Sequence, residues 1–171
     1  ATESLLTEQL RISSQLRAID LLDTQGLVIA SVTKSKGSIA NYSCFDTLKS
    51  EPLLDFVIES PQKGRYPNDP FAETSTHRYL PFCVPVRDAN QQLINVLVAS
   101  INPQYFYNLF SSITDTFAAH IHLYRYDGEG LLITNSLEPK IDTVLQQRKE
   151  KSWGQYRTSI DEENYLVSYR S

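Results

Sequence analysis

A strand–turn–strand pattern occurs four times along the chain, and this repetition restricts the available folds more than any other feature. Ile19-Asp20-Leu21-Leu22-Asp23 runs through Thr24-Gln25-Gly26 into Leu27-Val28-Ile29-Ala30-Ser31. Phe82–Val86 turns at Asp88-Ala89-Asn90 and returns as Leu93–Ile101. His120–Tyr126 turns at Asp127–Gly130 into Leu131–Thr134, and Tyr156–Ile160 turns at Asp161–Asn164 into Tyr165–Tyr169. In each copy two runs rich in β-branched and aliphatic residues flank Asp, Asn or Gly, the residues that tolerate a tight reversal. Four antiparallel hairpins need two sheets or one very large one. Helical segments between them favour two.

Those segments are read from period and caps. Residues 1–18 predict an N-terminal helix, because Leu5, Ile12, Leu16 and Ile19 recur at spacings of seven, four and three with no Gly or Pro between them. Short helical pieces are expected at Phe45–Lys49 and Pro52–Ile58. A helix from Pro103 to Phe110 is expected to open on Asn102 as N-cap, with Pro103 at the first helical position. A polar helix is expected at Ile141–Lys149. Ser60–His77 carries three prolines and Gly64 without a clear period. A structureless stretch of that length inside a domain is unusual and often functional. Its place between two hairpins puts it over one face of the first sheet. The expected organisation is an N-terminal helix at 1–18, a larger module at 19–102 and a smaller one at 103–171.

Composition excludes several function classes. With 41% hydrophobic and 21% charged residues in 171, the chain is ordinary globular material. Its net charge of -4 and scattered basic residues argue against nucleic acid as a partner. No run of 18 apolar residues is present to span a bilayer. The two cysteines, Cys44 and Cys83, would close a loop of about 40 residues if bonded. Neither lies in a CxxC pair, and the preferred reading is two buried, reduced thiols. No Gly-rich phosphate loop, G-x-S-x-G elbow or H-E-x-x-H motif occurs, so the chain is not expected to be an enzyme and no cofactor is expected.

The order of these elements resembles the double Cache family, the tandem PAS-like extracytoplasmic sensors of bacterial membrane receptors. Asp20-Leu21-Leu22-Asp23-Thr24-Gln25-Gly26-Leu27-Val28-Ile29-Ala30-Ser31 is similar to that family's first hairpin. Val84-Pro85-Val86-Arg87-Asp88 through Leu97-Val98-Ala99-Ser100-Ile101 is similar to the pair that closes its first module. Ile101-Asn102-Pro103-Gln104-Tyr105-Phe106 resembles the inter-module helix start of receptors joined to diguanylate cyclases and histidine kinases, and Leu123-Tyr124-Arg125-Tyr126-Asp127-Gly128 resembles the opening of the second module. The resemblance implies an α+β fold of two PAS-like antiparallel sheets stacked along a long N-terminal helix. It implies a periplasmic location, membrane anchoring on both sides, and a second module lacking its last strand. Output would lie in a separate domain, a diguanylate cyclase first, with a histidine kinase or chemotaxis transducer as alternatives. A homodimer through the N-terminal helix also follows.

Family members bind ligands between the first sheet and its insertion, and those that bind amino acids use an Arg-x-Trp element and an Asp near the end of the last strand. Here the one tryptophan is Trp153, in the second module, and the Asp position falls at Ser100. The insertion and its flank instead offer Arg65, Tyr66, His77, Arg78 and Tyr79. Two arginines with hydroxyl donors and no evident acid suit an anion, so the expected ligand is a small carboxylate held by these residues and Ser100. His120 and His122, two apart, are half of a metal site at most, and no metal is expected. The alternative is a ligand-free structural module that dimerises through its first helix, with the insertion packed shut.

Overall fold

The computed structural model describes residues 2–117, 119–125, 127–133, 145–146, 153–160 and 162–170. The chain divides into two compact units, Ala1–Phe106 and Tyr107–Ser171.

The first unit is a six-stranded antiparallel sheet with a different cover on each face. It contains α1 (Thr2–Ile12), β1 (Leu16–Asp23), β2 (Val28–Ser31), α2 (Ser43–Ser50), β3 (Val57–Ile58), β4 (Gln62–Lys63), β5 (Arg78–Arg87) and β6 (Leu93–Ile101). The strand order is β2-β1-β6-β5-β3, with β4 also paired to β5. Successive strand side chains point to opposite faces. Register therefore places Asp20 with Ser31 and Val98, Ala18 with Ser100, and Cys83 with Val98 and Val57 on one face, called here the inner face. Leu22, Cys83, Val96 and Val98 of that face pack with Ile39, Tyr42, Cys44, Phe45 and Leu48 from α2 and the segment before it. On the outer face Ile19 and Ala30 pack with Leu6 of α1, joined by Leu10, Leu21 and Leu97.

The N-terminal helix is shorter than its periodicity predicts, and ends at Ile12. A turn follows, in which Ser13 N–H donates to Leu10 O and Leu16 N–H to Ser13 O. Leu16 and Ile19 extend the helical spacing but belong to β1, where seven residues pair with β6. A central strand buried on both faces mimics a continuing apolar stripe over a few residues. The long N-terminal helix is thus corrected to an 11-residue one.

All four hairpins are present. The first turn is fixed by Asp23, whose Oδ1 accepts from Gln25 N–H and Leu27 N–H, and by Gly26 at φ +80°. Asp88 does the same for the β5–β6 turn by accepting from Asn90 and Gln92. Only one of the two helical pieces expected in the insertion forms. Phe45–Lys49 lies in α2, whereas Pro52–Ile58 is turn followed by β3. Val57 and Ile58 find backbone partners in Cys83 and Phe82, and sheet pairing overrides any local helical preference.

Cys44 and Cys83 form a disulfide, with Cα atoms 6.3 Å apart, which corrects the reading as reduced thiols. Cys83 faces inward from β5 and α2 lies against that face, so the two sulfurs meet in the core; both residues are fully buried.

In the second unit, β7 (His122–Tyr124) pairs with β8 (Gly130–Ile133), and β9 (Trp153–Ile160) pairs with β10 (Glu163–Arg170). The β7–β8 turn repeats the Asp device, with Asp127 Oδ1 accepting from Glu129 N–H. The third helix, α3 (Pro103–Phe117), begins in the first unit and ends in the second. Asn102 caps it, its Oδ1 accepting from Gln104 N–H at 3.1 Å. The helix expected at Ile141–Lys149 lies outside the described residues, apart from 145–146.

Candidate functional site

The inner face of the first sheet carries a buried polar group of residues inside an otherwise apolar core. Asp20 sits on β1, with Ser31 directly opposite on β2. Ser100 lies diagonally across on β6, two residues along from Val98, the register partner of Asp20. Tyr79, at the start of β5, is almost fully buried, and its hydroxyl bonds that of Tyr42, which enters from the segment before α2. Asp20 and Ser100 are fully buried. Among the described residues, neither carboxylate oxygen of Asp20 nor Ser100 Oγ has a hydrogen-bond partner.

This arrangement is costly and therefore informative. A buried polar group without a partner costs about 1–3 kcal/mol, and more if charged. Burial pushes the Asp20 carboxyl up to about 6, an effect that the nearby Ser31 hydroxyl only partly offsets. The tyrosine hydroxyls are pushed up as well. Burial is the main cause for both, and the negative charge on Asp20 adds to it. Ser31 Oγ accepts from Thr33 N–H and Ser35 N–H and lies 3.0 Å from Thr33 Oγ1. The cluster thus holds one acid among hydroxyl groups.

The residues singled out from the sequence divide into two sets. Tyr79 and Ser100 come together on the inner face around Asp20. Arg65 does not join them. Its guanidinium forms a two-point ion pair with the buried Asp69 (3.0 and 3.1 Å), and Asp69 also accepts from Arg65 N–H and Phe71 N–H. The Arg65 hydrogen bond chiefly holds the Asp69 carboxyl down at about 2. Arg65 also lies over the rings of Tyr66 and Phe71. The acid that seemed absent from the insertion is Asp69, and the Arg65–Asp69 pair with Tyr66 builds the loop. His77 and Arg78 are exposed. His77 O accepts from Gly64 N–H, and Arg78 O accepts from Arg17 Nη1, so backbone atoms supply their structural contribution.

Sequence reasoning missed Asp20, Tyr42 and Arg17. Arg17 ties three elements together, bonding Arg78 O and Asn102 Oδ1 from β1. Asp20 could have been found from its position, since an acid inside an apolar run predicted as a strand lacks the turn-forming reason that explains Asp23. Among the described residues no group of three metal-ligating side chains occurs, and His120 precedes β7, which starts at His122. An open groove on the β9–β10 hairpin is lined by Arg157, Thr158, Asn164 and Tyr165 among others, and the buried Tyr156 hydroxyl of β9 is not among its lining residues.

No family model matches the sequence, and no curated protein matches it. Solved structures do. The extracellular domain of a protein assigned as a histidine kinase, rpHK1S-Z16, superposes with a TM-score of 0.66 at 20% identity, over 99% of this chain and 70% of that one. The chain shares the fold of that extracellular domain. An extracellular ligand-binding receptor from Desulfohalobium retbaense gives a TM-score of 0.63 at 12% identity, over 97% of this chain and 32% of that one. The ligand-binding domain of Mlp24 with asparagine gives 0.49 at 16%, over 96% and 66%. Among the described residues no helix is long and apolar enough to cross a membrane.

Proposed function

We propose that this chain is the extracytoplasmic sensing domain of a bacterial membrane receptor of the double Cache type, receiving a small molecule on the inner face of its first sheet. The observation that carries the reading is the Asp20–Ser100 pair: two fully buried polar side chains without hydrogen-bond partners among the described residues, on the same face as the bonded Tyr42 and Tyr79. Core positions with no task beyond packing are filled by apolar side chains, as Leu22, Val96 and Val98 fill the rest of this face. A closed apolar insertion would have favoured a ligand-free structural module, and the polar cluster favours sensing.

The chemistry of the cluster also revises the expected ligand. Arg65 is committed to Asp69, and the unsatisfied acceptor in the core is a carboxylate. A carboxylate ligand would meet like charge there. A ligand presenting hydrogen-bond donors, such as an amine or a polyol, fits better. Catalysis belongs to another domain of the parent protein in this reading, with the resemblance at Ile101–Phe106 pointing to a diguanylate cyclase.

The test is a thermal-shift screen of the chain against small amines, polyols and carboxylates, repeated on Ser100→Ala. The expected result is stabilisation by a donor-bearing compound that weakens at least about tenfold in the variant, the equivalent of one lost hydrogen bond. A response confined to carboxylates, or one unchanged by Ser100→Ala, would overturn the assignment of this site.

A further inference from the structure

We propose that the first unit is also a proton-responsive device, in which loss of the Asp20 proton loosens the insertion from the inner face of the sheet. This goes beyond the ligand reading, because it needs no small molecule.

The inference starts from the surroundings of Asp20. Its side chain points into the core from β1, with Ser31 of β2 opposite and Ser100 of β6 diagonal to it. The titratable groups facing it are Tyr79 of β5 and Tyr42 from the insertion, both of which feel its charge. Glu59 acts on Tyr42 and Asp69 on Tyr79, and both are acids. Among the described residues, no cation figures among the groups that act on Asp20, Tyr42 or Tyr79. A protonated Asp20 is a neutral polar group that this core accommodates. An ionised Asp20 is a buried charge without a countercharge. Burial holds the proton to about pH 6, so the change falls in the range an external domain meets.

The topology determines which part yields. β1 is paired along its length to β6, and α2 is pinned at Cys44 by the bond to Cys83. The Tyr42–Tyr79 bond spans the boundary between insertion and sheet beside Asp20. In that pair one hydroxyl donates to the other, which leaves one proton free to give. A carboxylate is a stronger acceptor than a hydroxyl. That one proton does not replace the hydration a carboxylate loses on burial, so ionised Asp20 draws water in past Tyr42 and the pair parts. The opening falls on residues just before Cys44 and on the loop that packs beside Tyr79.

Peptide-resolved hydrogen exchange of the chain, corrected for intrinsic rates, tests this between about pH 5 and pH 7.5. Protection at residues 38–43 and 60–77 is expected to fall about tenfold with rising pH. In Asp20→Asn it is expected to stay constant. A carbon-detected NMR titration of the wild-type carboxyls, which needs no variant, is expected to show Asp20 titrating near 6. An Asp20 midpoint at an ordinary carboxylate value, or the same protection profile in both proteins, overturns the proposal. Ligand stabilisation accompanied by an ordinary Asp20 titration would sink the switch and leave the sensing site standing. The reverse pattern would do the opposite.

Discussion

The Cys44–Cys83 bond allows the most quantitative test of how the first unit is held together. The bridge joins residues 39 apart in sequence, tying α2 to the middle of β5. In the chain-entropy account, cross-linking removes freedom from the unfolded ensemble as the logarithm of loop length. For a loop of about 40 residues this gives about 4 kcal/mol at 25 °C. The native side adds little to the cost of reduction, since two thiols in an apolar pocket are well tolerated. The stability of the first unit should therefore fall by about 4 kcal/mol on reduction, a large share of the 5–15 kcal/mol typical of a domain. Urea unfolding, followed by far-ultraviolet circular dichroism with and without reductant, measures the difference. With a slope of about 2 kcal/mol per molar, the midpoint should drop by about 2 M. Both sulfurs are buried, so reduction under native conditions should be slow and should accelerate as urea promotes opening. A midpoint shift equivalent to less than about 1 kcal/mol would refute the reasoning, by showing that the denatured chain is already confined or that the bond strains the native one.

Three further outcomes follow from single side chains. Asp20 holds its proton more tightly in the folded state, about 6 against an ordinary 3.8, so stability should decline as pH rises between those values and level off above. The full excursion is about 3 kcal/mol, which Asp20→Asn should abolish; a flat wild-type profile across that window in unfolding titrations would contradict it. Asp69 behaves oppositely: Arg65 lowers its carboxyl to about 2, so its contribution is present above about pH 4 and lost as pH falls toward 2, and Asp69→Asn should flatten that acid limb. Gly26 has φ +80°, and an added Cβ would stand 2.8 Å from backbone atoms of Ala40. Gly26→Ala should therefore cost about 2 kcal/mol or more, readable as a lowered Tm, and an unchanged Tm would show that the turn can re-form.

Local chemistry made the hairpins legible, because Asp23, Asp88 and Asp127 each bond the backbone of their own turn. The cap of α3 was legible for the same reason, Asn102 being two residues from the N–H it accepts. The end of α1 and the segment Pro52–Ile58 were not, since partners distant in sequence decide both. Leu16–Asp23 becomes a strand through β6, and Val57–Ile58 through β5. The disulfide is a contact between an insertion helix and a strand 39 residues on, and spacing alone does not encode it.

The site illustrates the same limit more sharply. Arg65, Tyr66, His77 and Arg78 attract notice because charged and aromatic residues crowd an irregular loop, yet the charge of Arg65 is spent on Asp69 in building that loop. Asp20 attracts none, because a single acid between Ile19 and Leu21, three residues before the turn-forming Asp23, has no charged neighbour to mark it. Its meaning appears only when β2 and β6 flank it and the buried Tyr42 and Tyr79 hydroxyls feel its charge. A carboxyl in that position reduces stability at neutral pH, by the same linkage that raises its proton affinity. Ala18 and Leu22, its neighbours on the same face of β1, show what the core accepts at no such cost. A neutral side chain at residue 20 would fold at least as well, so the function of the carboxylate has to be sought in what it binds or releases rather than in what it holds together.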